Sequence, residues 1–335
     1  DTRVDPRTNL NSMFGEVKIA LRSARRTALL PPRISACAGL VRRPMRATRT
    51  YTASAQAINY CVDLVRQQDS ERYMCNLLAP AEARPSLFAL HAFNVETAKI
   101  RATTAEQAIG RMRIAWWRQT LAQAWQGEPP DHPVAQALAH ACARHDLQLR
   151  LLEQLLDARE EDLGQAQKER LDDLLTYCER TAGSLLLLGL ECAQATDAEA
   201  AEHAAVHAGC ALGLATLLRG TAVHAAQHCT YIPADTAARH HLTLKQIFSG
   251  RDSAELSDTV AELADEAVAH LLAARALCSE LPPNARAVLL PAVVADLILQ
   301  RLQRHAYAVF SSGVRDPLGL RLVAALAWNG FRRTY

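Results

Sequence analysis

Apolar residues recur every three or four positions along most of the chain from residue 55 onward. This spacing places apolar side chains on one face of an α-helix. Short breaks that contain Pro or Gly separate the periodic segments, and no segment shows the alternation typical of a half-buried strand. The pattern predicts helices over residues 57–78, 83–101, 108–125, 134–146, 149–163, 171–193, 198–226, 243–250, 255–281, 283–307 and 317–333.

One large all-α domain over residues 55–335 accommodates these segments, with an extended stretch, "CTYIPAD", at residues 229–235. The chain has 335 residues, of which 50% are hydrophobic and 5% aromatic. A chain of this length and composition can bury a sizeable helical core. No Gly-rich turn joins a strand to a helix, so nothing in the sequence indicates a nucleotide-binding fold.

Basic residues are concentrated within residues 1–54, although the net charge of the whole chain is only +2. Between Phe14 and Ala55 the sole acidic residue is Glu16. Apolar residues are threaded through the basic ones, which is typical of a transit peptide and favours that interpretation over a disordered basic tail that binds nucleic acid or anionic lipid. We predict a disordered presequence that directs the protein to an organelle. The basic residues are Lys18, Arg22, Arg25, Arg26, Arg33, Arg42, Arg43, Arg46 and Arg49.

The nine cysteines form no CxxC motif and no Cys/His pair at zinc spacing, so we predict reduced, mostly buried thiols and no metal. No run of apolar residues reaches the length of about 18 that a membrane span needs. We therefore expect the mature domain to be soluble or peripheral.

Several segments, taken together and in order, resemble the squalene and phytoene synthase family of prenyl transferases. They are residues 77–94 ("LLAPAEARPSLFALHAFN"), 113–138 ("RIAWWRQTLAQAWQGEPPDHPVAQAL"), 177–183 ("YCERTAG") and 213–235 ("GLATLLRGTAVHAAQHCTYIPAD"). The resemblance implies an isoprenoid-synthase-like helical domain around a central cavity. It also implies two facing aspartate-rich helices that hold Mg²⁺ against a substrate diphosphate.

The chain departs from the family where the metal ligands are expected. Carboxylates four residues apart share one helical face. Here the first pair matches Glu96 and Ile100, and the second matches Gly220 and His224. Only one of four acids remains, and imidazole suits Mg²⁺ poorly. We predict a vestigial metal and diphosphate site, with no catalytic residue and no metal; Mg²⁺ would be a cofactor only if the protein were an active prenyl transferase.

Other residues are candidates for contacts at this site. Asp157 and Glu161 are spaced four apart and offer replacement acids, although a solvated helix end is the simpler interpretation. Arg118 and Arg219 match family arginines and are candidates for anion contacts. Arg219 is equally a candidate partner for the remaining acid, Glu96.

Two tyrosines, Tyr177 and Tyr231, lie within matched motifs. The resemblance implies that they line the prenyl cavity. In a helical bundle rich in Ala and Leu they are equally suited to the core.

One branch of the family combines a mitochondrial presequence, "FNVE" at the first motif and degraded metal ligands, and the chain resembles that branch. Its members are mitochondrial assembly factors of respiratory complex I. The resemblance implies a non-catalytic protein in the matrix or on the matrix face of the inner membrane. Its expected partners are complex I subunits or other assembly factors, with peripheral membrane contact and no nucleic acid. The alternatives are an active prenyl transferase that condenses prenyl diphosphates, and an isoprenoid or lipid carrier that uses the cavity.

Overall fold

The computed structural model describes residues 51–104, 106–196, 199–332 and 334–335. The predicted transit peptide lies almost wholly outside these ranges, and it stays a prediction. Within them the chain contains helices and no strand. In chain order the first helices are α1 (Ala55–Gln68), α2 (Ser70–Leu78), α3 (Arg84–Thr103), α4 (Gln107–Gln126), α5 (Pro133–Arg144) and α6 (Leu149–Leu163).

The helices of the second half of the chain include the central one of the fold. In order they are α7 (Leu171–Cys178), a π-helical turn (Glu179–Gly183), α8 (Ser184–Cys192), α9 (Glu199–Arg219), α10 (Thr221–Ala226), α11 (Ala234–Arg239), α12 (Leu244–Phe248), α13 (Ala254–Ala276), a 3₁₀ turn (Cys278–Glu280), α14 (Pro283–Val288), α15 (Pro291–Arg304), α16 (Ser312–Arg315) and α17 (Leu320–Arg332).

Local sequence signals set many of these helix ends. The hydroxyl of Ser54 accepts a hydrogen bond from the Ala57 amide (3.1 Å) and caps α1. Pro133 opens α5, where its missing N–H costs no hydrogen bond. Gly127 ends α4 in the left-handed conformation, with φ of 81°. These are the breaks that the sequence pattern predicts.

Helix α9 lies at the centre of the core and packs against α8, α13, α15 and the π-helical turn. Its small residues are almost completely buried, which allows neighbouring helices to approach closely. The closest approach is at Gly209, where an added Cβ would overlap the backbone of Gly183 and lie 3.0 Å from the carbonyl carbon of Ala182. At such a contact only glycine fits without moving a helix.

Five predicted helices are interrupted in the structure, one of which, over 255–281, ends at Ala276 and is followed by the 3₁₀ turn Cys278–Glu280. The helix predicted over 57–78 breaks at Asp69, whose carboxylate accepts a hydrogen bond from the Arg72 amide (3.1 Å) and caps α2. The segment 198–226 breaks at Gly220, and 283–307 breaks at Pro291, which has no N–H to continue α14. The segment 171–193 contains the π-helical turn, whose extra residue does not alter the apolar spacing enough to be visible in the sequence.

The structure confirms the predicted all-α fold over the described residues. None of the helices in the described ranges is both long and apolar enough to cross a membrane.

Candidate functional site

A buried carboxylate, Asp162 near the end of α6, is the centre of a polar cluster inside the domain. Arg101 Nη1 lies 2.8 Å from Asp162 Oδ1, and Lys168 Nζ lies 3.9 Å from the same oxygen. The hydroxyl of Tyr231 donates a hydrogen bond to Asp162 Oδ2. Both carboxylate oxygens are therefore occupied by groups of the chain itself.

Tyr177 extends the cluster from α7. Its ring centroid lies 5.4 Å from that of Tyr231, and its hydroxyl accepts a hydrogen bond from Arg159 Nη1. Arg159 also donates to Asn94 Oδ1 on α3 (3.1 Å), and Lys168 Nζ lies 5.1 Å from the centre of the Tyr177 ring. We call this set of residues the Asp162 cluster: Arg101, Arg159, Asp162, Lys168, Tyr177 and Tyr231.

The Asp162 cluster holds three cationic side chains against one carboxylate. Burial disfavours the charge on Arg101, but Asp162 more than compensates, and the pKa of Arg101 is raised. Burial raises the pKa of Tyr177 to about 12, although Arg159 partly opposes the shift. The phenol therefore stays protonated at neutral pH. The chemistry of the cluster is that of a closed ion-pair and hydrogen-bond network.

His224 of α10 borders the cluster, with its ring centroid 4.7 Å from that of Tyr231. Burial, reinforced by the positive charge of Arg101, lowers the pKa of His224 to about 4. The imidazole is neutral, and its Nδ1 atom is buried without a hydrogen-bond partner. A Cβ at Gly220 would lie 2.8 Å from His224 Cε1, so the missing side chain there makes room for the ring.

The first motif residues do not join the cluster. Asn94 reaches it through Arg159, and Arg101, seven residues later, lies on the same face of α3. Glu96 is two residues from Asn94, about 200° around the helix. Its charge instead acts on Cys61 of α1, whose pKa is raised to about 12 by burial and secondarily by Glu96. Ile100 is buried in the apolar core. Glu96 and Ile100 thus lie on a different side of α3 from Asn94 and Arg101, which reach the cluster.

The acids proposed as replacements lie at the surface and bind arginines. Arg118 Nη2 lies 2.6 Å from Asp157 Oδ1 and 2.7 Å from Glu160 Oε2. Glu161 binds Arg180 at 2.8 Å. Asp157 and Glu161 are therefore engaged in separate, partly exposed ion pairs, and Arg118 contacts Asp157 and Glu160.

Arg219 has a different partner from the one considered above. Its guanidinium binds Glu71 of α2 in a bidentate pair, with distances of 2.6 and 2.8 Å. Both side chains are largely shielded from solvent. The predicted pairing of Arg219 with Glu96 is wrong. The end of α9 faces α2 at this point, whereas Glu96 faces α1.

The residues of the Asp162 cluster do not fit Mg²⁺. That ion needs hard oxygen ligands in near-octahedral order. The one buried carboxylate already binds two cations, and it also interacts with the charge of a third, Arg159. Among the described residues, no group of three or more His, Cys, Asp or Glu side chains is arranged to hold a metal ion.

Reasoning from the sequence counted Asp162 among the acids of residues 157–163 without selecting it, and it missed Arg101, Arg159 and Lys168 as members of the site. The position of Asp162 within the apolar periodicity of α6 was a signal that its side chain is buried. It continues the buried stripe of α6, which contains Leu151, Leu155 and Ala158, and a carboxylate in an apolar stripe indicates a buried partner. No comparable signal existed for Lys168, which lies in the loop between α6 and α7.

Comparison with known proteins identifies the family. A family model described as "Squalene/phytoene synthase" matches residues 65–321. The chain belongs to this family. A dehydrosqualene synthase crystal structure superposes with a TM-score of 0.73 at 18% identity, over 84% of this chain and 98% of that one. The squalene synthase HpnC from Alicyclobacillus acidocaldarius has a TM-score of 0.67 at 22% identity, over 76% and 95% of the two chains. At these identities the likeness shows the shared fold.

Within the squalene/phytoene synthase family, the curated relatives of this chain include proteins of two kinds. NADH dehydrogenase (ubiquinone) complex I, assembly factor 6, from Homo sapiens is 34% identical over 277 residues, which are 83% of each chain. The protein of the same name from Bos taurus is 33% identical over 98% of this chain and 99% of its own. Phytoene synthase 1 from Arabidopsis thaliana is 25% identical over 58% of this chain and 47% of its own. The likeness to assembly factors is greater in both identity and extent.

Proposed function

We propose that this chain is a non-catalytic assembly factor of respiratory complex I in mitochondria. The observation that carries the proposal is its likeness to complex I assembly factor 6, at 34% identity over most of both chains. The Asp162 cluster supports the non-catalytic part. Its three cations would oppose Mg²⁺ and hold the interior together by contacts within the chain.

The same geometry weighs against prenyl transfer. Mg²⁺ would have to stabilise the charge that develops on a departing diphosphate, yet Glu96 faces away from the cluster and His224 is a neutral imidazole. The surviving motif residues therefore lack a common point at which to bind a cation. The protein retains the helical fold of the family without the residues that would bind the metal.

The likeness to complex I assembly factors also supports a mitochondrial location. We place the protein in the matrix or on the matrix face of the inner membrane, with complex I subunits or other assembly factors as partners. The Arg-rich, acid-poor sequence between residues 14 and 55 supports import.

Gene deletion followed by complementation tests this function. Loss of the gene should reduce assembled complex I on native gels, and re-expression of the protein should restore it. The double variant Glu96→Gln, Asp157→Asn removes the acids on which a divergent metal site would depend, and it should restore complex I as well as the unaltered protein does. Normal complex I in the deletion strain would refute the assembly function.

A separate assay tests catalysis. Purified protein incubated with Mg²⁺ and farnesyl diphosphate should release no diphosphate above a protein-free control. Mg²⁺-dependent release that the Glu96→Gln, Asp157→Asn variant abolishes would support the prenyl transferase alternative.

A further inference from the structure

The last helix, α17, exposes an apolar face to solvent. Leu320 is 86% exposed, Phe331 is 84% exposed and Trp328 is 59% exposed, and Val323 lies beside them. The spacing of Leu320, Val323 and Phe331 places them along one side of the helix. No side chain that accepts a hydrogen bond interrupts this side. We call it the α17 face.

The opposite side of α17 holds the helix on the domain. Leu322 and Leu326 are buried there against α15 and α2. Beyond the helix, Tyr335 is buried and its hydroxyl donates a hydrogen bond to the Ala274 carbonyl oxygen (2.7 Å). The helix is thus fixed between packed residues, and its outer apolar residues cannot turn inward without breaking these contacts.

Apolar residues of a second helix accompany the α17 face. Leu77 and Leu78, at the end of α2, are 43% and 45% exposed, and α2 packs against α17. Large exposed apolar side chains of this kind are typical of an interaction site.

Basic residues lie at both ends of α17. Residues 317–335 contain three arginines and no acid. At the start of the helix, burial and the neighbouring guanidinium groups of Arg304, Arg219 and Arg321 lower the pKa of Arg301, opposed only in part by Asp316. At the other end, the Arg332 guanidinium lies 5.6 Å from the centre of the Trp328 ring. Within the described residues neither Arg304 nor Arg321 forms an ion pair.

This combination matches an anionic lipid surface. A helix that lies in a membrane interface buries Trp, Phe and Leu at the level of the headgroups and acyl chains, while basic residues contact anionic phosphates. Long arginine side chains extend along apolar surface and keep their charge in water. The absence of acids from residues 317–335 makes the helix complementary to negative charge along its length.

We infer that the α17 face docks the protein onto an anionic phospholipid membrane, with Leu320, Trp328 and Phe331 inserted at the interface. The inference deepens the proposed location on the inner membrane and rests on it for the choice of membrane. It is distinct from the assembly function, because vesicle binding by purified protein can fail while complementation succeeds.

Vesicle flotation with the full chain tests the inference. The protein should float with vesicles of phosphatidylcholine mixed with phosphatidylglycerol, and binding should weaken in high salt and with phosphatidylcholine alone. The variant Leu320→Gln, Phe331→Gln should lower the partition coefficient about tenfold or more, since each side chain contributes buried apolar area. The variant Arg321→Gln should lower it about fivefold on anionic vesicles alone.

A matched control comes from α4, where Ile109 and Met112 are exposed apolar residues, 43% and 71%. The variant Ile109→Gln, Met112→Gln should bind vesicles as the unaltered protein does. Circular dichroism should show unchanged helix content in every variant.

Two results would overturn the inference. The first is failure of the unaltered protein to bind anionic vesicles. The second is binding that persists in Leu320→Gln, Phe331→Gln, which would assign it to the basic N-terminal segment or another surface. A dimer in solution that the same variant dissociates, without vesicle binding, would instead assign the α17 face to a second copy of the chain.

Discussion

Arg101 of α3 and Asp162 of α6 form an ion pair, 2.8 Å apart, inside the helical domain. Lys168 and Tyr231 bind the same carboxylate, so one acid connects two helices and two loops. Burial of this group is favourable only while its partners remain in place. The cluster therefore makes the interior dependent on one carboxylate.

Replacing that carboxylate should destabilise the fold strongly. The variant Asp162→Asn leaves Arg101, Arg159 and Lys168 without their shared anion, and we expect the free energy of unfolding to fall by about 3–5 kcal/mol. Urea unfolding measures this change. The control Glu161→Gln removes a surface partner of Arg180 and should cost less than about 1 kcal/mol. Equal, small losses in both variants would show that the cluster contributes little to stability.

The Arg219–Glu71 pair should show energetic coupling. Its bidentate geometry and low exposure favour a coupling of about 1–3 kcal/mol in a double-mutant cycle of Arg219→Met and Glu71→Gln. The matched cycle uses Glu96→Gln in place of Glu71→Gln, and it should be additive. Coupling to Glu96 and none to Glu71 would contradict the positions of both acids.

The close helix contact at Gly209 should tolerate no added methyl group. The variant Gly209→Ala forces α9 away from Gly183 and Ala182, and we expect a loss of at least about 2 kcal/mol of stability. Gly330, in α17, has no neighbouring atom within 4 Å of an added Cβ, so Gly330→Ala should raise helix stability slightly. Thermal unfolding compares the two. A stable Gly209→Ala protein would mean that the two segments separate easily.

Acid should destabilise the domain through its buried histidines. Burial lowers the pKa of His91 to about 3, and Asn76 Nδ2 lies 2.9 Å from its Nδ1. The unfolded chain binds a proton at this histidine near pH 6.5 and the folded chain does not. This contribution to stability is therefore complete above pH 6.5 and is lost as the pH falls toward 3.

The variant His91→Gln keeps a hydrogen-bond acceptor for Asn76 and removes this titration. Between pH 6 and 5 the slope of unfolding free energy against pH should decrease by up to about 1.4 kcal/mol per unit. Urea titrations at several pH values measure the slope. His203→Gln, on the exposed side of α9, is the control for replacing a histidine at the surface. An unchanged slope in His91→Gln would mean that His91 is protonated in the folded protein.

The local pattern of apolar residues predicts most of the helices, but it does not predict where those helices are interrupted. Apolar spacing predicts where helices lie, because one face of each packs on the core. The cap at Asp69 and the π-helical turn at Glu179–Gly183 depend on a side-chain orientation and on a close crossing at Gly209. Both depend on three-dimensional packing, which the spacing of apolar residues in the sequence predicts only weakly.

The candidate site was predictable in part for the same reason. Motif resemblance pointed to Tyr177, Tyr231 and His224, and the structure brings them together. It also pointed to Glu96, which lies on a different face of α3 from Asn94, because two residues correspond to about 200° around a helix. Arg101 and Asp162 are 61 positions apart in the sequence, and only the packing of α3 on α6 makes them partners.

The Asp162 cluster also bears on how this fold can change over time. An aspartate introduced at position 224 would replace the ring on which the charge of Arg101 acts, in a cluster that also contains Lys168, so it would add another internal ion pair before it attracted Mg²⁺. Removing those cations first would leave Asp162 buried and unpaired, at a cost that a marginally stable domain cannot absorb. A mutational route from this arrangement to a metal-dependent enzyme therefore requires several simultaneous substitutions, and single substitutions do not lead there.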